Sequence, residues 1–184
     1  MKIKVLLFAV LFAFSGLLSH AQTVAAGDKV LNLGVGLGSA IYSGGYYKST
    51  MPPISASLEF VAKDDLFDGK GALGIGGYLG YSSSKWEYSG WGYKYSNIIV
   101  GPRGYLHYDL VDKLDTYAGL FLGYNIATSK EFGVSTGYDY KASSGGVIWS
   151  AFIGARYYFS DKFAGMVELG SGIAYLNLGV AFKL

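Results

Sequence analysis

Large apolar residues recur at every second position along most of the chain. In Leu31, Leu33, Val35 and Leu37 the alternate positions are large and apolar, while Asn32, Gly34, Gly36 and Gly38 between them are small or polar. Side chains alternate faces along a strand, so this period of two predicts a strand with one apolar face and one nearly bare face. A second strand follows with Ile54, Ala56, Leu58 and Phe60 against Ser55, Ser57 and Glu59, and a third with Leu73, Ile75, Leu79 and Tyr81 against Ala72, Gly74, Gly76 and Gly80. The fourth runs from about Tyr95 to Tyr108, the fifth from Thr116 to Ile126 and the sixth from Val147 to Phe159. Phe121 and Phe152 are exceptions, each a large ring on the small-residue face. Phe163 to Gly170 and Tyr175 to Leu184 complete eight predicted strands.

The connections differ in length. Lys63 to Lys70, Asp109 to Asp115 and Ser160 to Lys162 are short and carry the aspartates that tight turns favour. Tyr42 to Pro53, Ser82 to Lys94 and Ala127 to Gly146 read as long loops rich in Gly, Ser and Tyr, and Ser171 to Ala174 as a short hairpin. Short turns at one end and long loops at the other are the pattern of a transmembrane barrel, with turns in the periplasm and loops outside the cell. The ten-residue step from Trp149 to Phe159 spans roughly 25 Å at the usual rise and tilt, the height of the apolar band of such barrels.

Alternation alone does not say which face meets water. A soluble barrel would cover its exterior with Lys, Glu and Asp, but here the second face is mostly Gly, Ser, Ala and Asn. That face suits a narrow lumen, and the apolar face then meets lipid. The fold class is therefore all-β, an eight-stranded antiparallel up-and-down transmembrane β-barrel.

Composition adds the route to the membrane. Two lysines precede an apolar run from Val5 to Leu18, which ends in Ser19, His20 and Ala21. This reads as a signal peptide over residues 1–21 cleaved after Ala21, leaving a barrel domain over residues 22–184. Losing Lys2 and Lys4 from 15 basic and 13 acidic residues makes the mature chain formally neutral, which argues against a nucleic-acid partner. With no cysteine, neither a disulfide nor a lipid-anchored N-terminus is available.

The lumen face carries Glu59, Arg103, His107, Arg156, Glu168 and Lys183. Arg103 and Arg156 are the only arginines and stand in echoing contexts, Gly-Pro-Arg-Gly-Tyr and Gly-Ala-Arg-Tyr-Tyr. A buried guanidinium needs a partner, so a network of Glu59, Arg103, Arg156 and Glu168 is expected to cross the lumen and obstruct an open pore.

The leader, the alternating strands, the inward arginines and the last strand, Leu176-Asn177-Leu178-Gly179-Val180-Ala181-Phe182-Lys183-Leu184, resemble the small OmpX/OmpA-like outer-membrane β-barrel proteins. The resemblance implies an outer-membrane location with both termini periplasmic. Outer-membrane lipid and lipopolysaccharide are then its surroundings, and the barrel assembly machinery reads its last strand. The family usually ends in an aromatic residue, whereas this chain ends in Leu184 with Phe182 two residues earlier on the same face.

Chemistry is sparse. His107 is the single histidine outside the leader, is followed by Tyr108 and Asp109 with no serine two positions on, and lies near the periplasmic end of its strand. A lipid A-modifying enzyme needs its machinery at the opposite leaflet, so His107 reads as an interior structural residue bonded near Tyr105, and no catalytic residue is assigned. No metal-ligand spacing is present and no cofactor is expected. Tyr46, Tyr47, Trp86, Tyr88, Trp91, Tyr93, Tyr138 and Tyr140 lie in the predicted loops. They either extend the aromatic belt at the membrane surface or contact an extracellular ligand of unidentified kind. Function reduces to a structural or surface-interaction barrel, a narrow channel for small solutes, or a membrane enzyme, in that order.

Overall fold

The computed structural model describes residues 23–39, 48–133 and 141–184. Eight strands, β1 (Lys29–Ser39), β2 (Lys48–Leu66), β3 (Gly71–Tyr88), β4 (Trp91–Val111), β5 (Leu114–Phe132), β6 (Lys141–Ser160), β7 (Phe163–Gly170) and β8 (Ala174–Lys183), follow one another around a closed barrel. Every neighbouring pair is antiparallel, and β8 returns to β1 through pairs such as Leu33↔Val180. Closure leaves no strand edge, which is the condition for a sheet to sit in hydrocarbon.

The two faces separate as the alternation requires. Ile75, Leu120 and Trp149 point outward with 62 %, 65 % and 74 % of their surface exposed, far more than a water-soluble protein tolerates over a continuous band. The residues between them are buried inside the ring. At the end that carries the chain termini, outward rings touch one another, with Phe159, Phe163 and Phe182 at centroid separations of 5.9 and 5.3 Å. They form one girdle of the apolar band. The chain is thus a transmembrane barrel.

The barrel is taller on one side. The strands β1, β7 and β8 have 11, 8 and 10 residues, close to the ~10 needed to cross a bilayer, whereas β2 to β6 have 18 to 21. This corrects the reading of Ser82 to Lys94 as a long loop. The ladder of β3 and β4 continues through Lys85↔Lys94 and Trp86↔Tyr93 to Tyr88↔Trp91, and only Ser89 and Gly90 turn the chain. Both have positive φ, 49° and 84°, as a two-residue hairpin turn of the primed type demands. Above the membrane neither face needs to be apolar, so strand persists there without the alternation that reveals it. Likewise β2 starts at Lys48, β5 runs to Phe132 and β6 starts at Lys141.

The terminus end is closed by the segment that precedes β1. Val24 is fully buried in a cluster with Val30, Val61, Ala72, Tyr158, Ala164 and Ala181. The Thr23 amide donates to Asp109 Oδ2 at 2.7 Å, and Lys183 Nζ donates to the Thr23 carbonyl at 2.7 Å.

Candidate functional site: a packed and charged lumen

The four residues proposed to cross the lumen are all buried, and they form two separate groups. In the first, Arg103 from β4 meets Glu168 from β7 through two parallel bonds, Nη1 to Oε2 at 2.9 Å and Nη2 to Oε1 at 3.0 Å. This fork-on-fork geometry is the strongest form of a guanidinium–carboxylate contact. Tyr117 adds a hydroxyl to Glu168 Oε2 at 3.3 Å. The guanidinium carbon lies 4.0 Å from the Tyr78 ring centroid and 4.2 Å from that of Phe152, so the cation is clasped between two aromatic faces.

The second group is a closed ring of four side chains nearer the terminus end. Arg156 Nη2 donates to Glu59 Oε2 at 2.6 Å and Nη1 to Asp115 Oδ2 at 3.0 Å. The other oxygen of each carboxylate faces His107, Glu59 Oε1 against Nε2 at 2.5 Å and Asp115 Oδ1 against Nδ1 at 2.8 Å. A ring nitrogen facing a carboxylate oxygen donates, so this geometry suits an imidazole protonated at both nitrogens. Two carboxylates then balance one guanidinium and one imidazolium. That neutrality matters because a net charge held in the middle of a bilayer-spanning barrel has little solvent to stabilise it.

Two members of this ring depart from the sequence reading. Asp115 reads as a turn residue because Asp112 and Lys113 adjoin it, yet it is fully buried on the lumen side of β5. Its parity with Tyr117 and Gly119 is the signal that places it there. His107 stacks on Tyr105 with centroids 6.0 Å apart, but its hydrogen bonds go to Glu59 and Asp115. Lys183, also on the inner face, pairs with Asp28 at 2.9 Å at the terminus end and joins neither group.

Aromatic side chains fill the remaining cross-section. Phe121 and Phe152, which break the alternation, point inward and pack with Tyr78, Ile99, Tyr105, Tyr117 and Ile173. Glycine on facing strands makes the room. A Cβ on Gly74 would lie 2.3 Å from Glu59 Oε1, and one on Gly119 would lie 2.3 Å from the Phe152 ring. The bare face of the alternation is therefore the receptacle for the few large groups that cross it.

The aromatic residues proposed as loop contacts divide. Tyr46, Tyr47, Tyr138 and Tyr140 lie outside the described residues. Trp86, Tyr88, Trp91 and Tyr93 sit on the β3–β4 hairpin, where Trp86 meets Trp91 edge-to-face at 5.9 Å and Trp91 meets Tyr93 at 5.2 Å. The Trp91 indole donates to Glu131 of β5. By strand parity Trp86 continues the series Tyr78, Gly80, Ser82, and Trp91 and Tyr93 continue Asn97, Ile99. The cluster thus stands on the extension of the lumen face rather than on the lipid-facing belt.

A closed ring of eight strands, apolar outside and charged within, defines a small eight-stranded transmembrane β-barrel. Comparison with protein-family models and with characterised protein sequences gives no match. Among solved structures the chain is similar to the attachment invasion locus protein Ail of Yersinia pestis in complex with the heparin analogue sucrose octasulfate. Identity is 12 %, coverage is 86 % of this chain and 98 % of that one, and the TM-score is 0.49. A de novo designed transmembrane β-barrel shares 18 % identity over 88 % of this chain and 98 % of its own, with a TM-score of 0.48. The N-terminal β-barrel domain of Pseudomonas aeruginosa OprF shares 13 % identity over 87 % of this chain and 98 % of its own, with a TM-score of 0.45.

Proposed function

We propose that this outer-membrane barrel works at its surface and not through its lumen: it is a structural and surface-interaction protein with no catalytic role. The observation that carries the reading is the filled cross-section, in which two ion-paired groups and a set of interlocked rings occupy the space a solute would need. The same packing takes both nitrogens of His107, leaving it no free nitrogen with which to serve as a general base. Both chain termini lie at the periplasmic end in this reading, and the tall wall of β2 to β6 faces outward from the cell.

The Trp86, Trp91 and Tyr93 cluster is the contact surface. Large rings placed above the membrane on the lumen-side face serve neither lipid anchoring nor barrel closure, and aromatic rings bind sugars and apolar side chains at small entropic cost. Replacing Trp86 and Trp91 together with alanine is expected to lower binding of intact cells to immobilised glycans, with the amount of folded barrel unchanged. Unchanged binding by the double variant would remove the hairpin from the function. Expression of the chain is expected to leave the mass of lipid A unaltered, and a new lipid A species would instead establish an enzyme.

A further inference from the structure

The charge balance at the terminus end is short of one cation. Asp109 is the direct cross-strand neighbour of Asp115, and both carboxylates are buried. Asp115 and Glu59 share the charges of Arg156 and His107, and that ring is neutral by itself. It has no charge left over for Asp109. Lys183, the other inner-face cation at this end, pairs with Asp28 and donates to the Thr23 carbonyl, and Lys113 is exposed on its turn. Among the described residues no side chain of opposite charge pairs with Asp109, although like charges facing one another across a ladder repel.

One oxygen of Asp109 also lacks a bond. Oδ2 accepts the Thr23 amide at 2.7 Å, whereas Oδ1 is buried without a hydrogen-bond partner. A buried acceptor in that state carries the full cost of its lost hydration.

The chain itself brings a donor to this place. Bond lengths and angles hold the nitrogen of any residue within ~3.7 Å of the next amide nitrogen, so the nitrogen of Gln22 stays that close to the Thr23 amide. Thr23 is fixed on both sides, by its amide on Asp109 and its carbonyl under Lys183, and Val24 beside it is fully buried. A cavity of about 390 Å³ opens next to Thr23, lined by Asp112, Tyr158, Ser160, Asp161 and Lys183. In the precursor the Gln22 nitrogen is a neutral peptide amide. Hydrolysis of the Ala21–Gln22 bond, the cleavage expected from the sequence, leaves a carboxylate on Ala21 and an ammonium on Gln22.

We infer that this new ammonium is the missing counterion: leader removal creates a cation that docks on Asp109 Oδ1 and locks the N-terminal segment across the terminus end of the lumen. The site binds the chain's own processed N-terminus, so closure of the barrel end is coupled to processing. A precursor that keeps residues 1–21 has the nitrogen in place but no charge on it.

The test refolds the full mature barrel, starting at Gln22, in phospholipid vesicles and compares it with the same chain carrying Gly-Ser ahead of Gln22, each with and without D109N. Heat-modifiable gel mobility verifies folding, and D109S repeats the comparison as a second variant. The extension is expected to raise the unfolding equilibrium constant in urea about tenfold when Asp109 is present and to leave it unchanged in D109N. An effect of equal size in both, or none with Asp109 present, would overturn the proposal. A second readout is glutaminyl cyclase, which joins the α-nitrogen of an N-terminal Gln to its own side-chain amide carbon and releases ammonia, a loss read by mass. Folded wild-type barrel is expected to resist the enzyme, folded D109N to be converted, and both to be converted in urea. Conversion of folded wild type at the rate of D109N, or resistance of both folded proteins, contradicts a clamp at Asp109. N-terminal sequencing of the protein isolated from membranes is expected to begin at Gln22, and any other first residue places the ammonium elsewhere and overturns the inference.

Discussion

Arg156 shows how a single buried cation can organise several strands. It donates to carboxylates from β2 and β5, while His107 from β4 closes the ring on the opposite oxygens. Removing one member leaves the others charged and facing one another. Arg156→Met is expected to destabilise the barrel by about 3–5 kcal/mol, read by urea unfolding in phospholipid vesicles. Removing the three permanent charges together, in R156M/E59Q/D115N, where His107 gives up its second proton and is neutral, is expected to restore much of that loss, because the penalty comes from unpaired charge. A triple variant as unstable as the single one would show that packing of Arg156 dominates. Gly119 makes the steric counterpart. Alanine there places its Cβ 2.2 Å from the Gly104 carbonyl and against Phe152, so Gly119→Ala is expected to cost about 1–3 kcal/mol in the same assay. At this scale the sequence marks Glu59, Arg103, Arg156 and Glu168 as interior because each is a charge on a bare face. It does not reveal which acid pairs with which base, since partners up to 97 positions apart meet only once the barrel closes. Asp115 escapes notice because a turn beside it supplies a sufficient local explanation.

Elements are legible where the membrane writes them. Within the apolar band each strand must place large residues outward and small ones inward, and the alternation follows directly. Above the band the requirement lapses, so the upper halves of β3 and β4 carry Ser, Lys, Trp and Gly in no apolar period and read as loop. What sustains them as strand is cross-strand pairing and a Ser89–Gly90 turn with positive φ at both positions. Gly90→Val puts a β-branched residue at φ 84° and is expected to fray this hairpin. Faster amide exchange confined to residues 82–96 would be the sign, with exchange in the lower half of β4 unchanged. Loss of protection throughout the barrel would instead make the hairpin part of the fold's cooperative core. The N-terminal segment at the other end is equally hidden in sequence. Val24 is one apolar residue among small ones, and only the closed ring supplies the buried site it occupies.

For the whole molecule, the fold separates three regions: the lipid face, the lumen and the tall end. The lipid face is apolar, the lumen is packed and charge-paired, and the tall end of β2 to β6 presents an aromatic cluster over the extension of the lumen face. An eight-stranded barrel has room inside only for side chains, and this one fills that room with Arg103, Arg156, Phe121, Phe152 and their partners. The most direct test of this account is planar-bilayer conductance of the purified mature barrel. The filled lumen predicts a membrane whose current stays at baseline across the voltage range. Stable, large single-channel currents that survive repurification would contradict it.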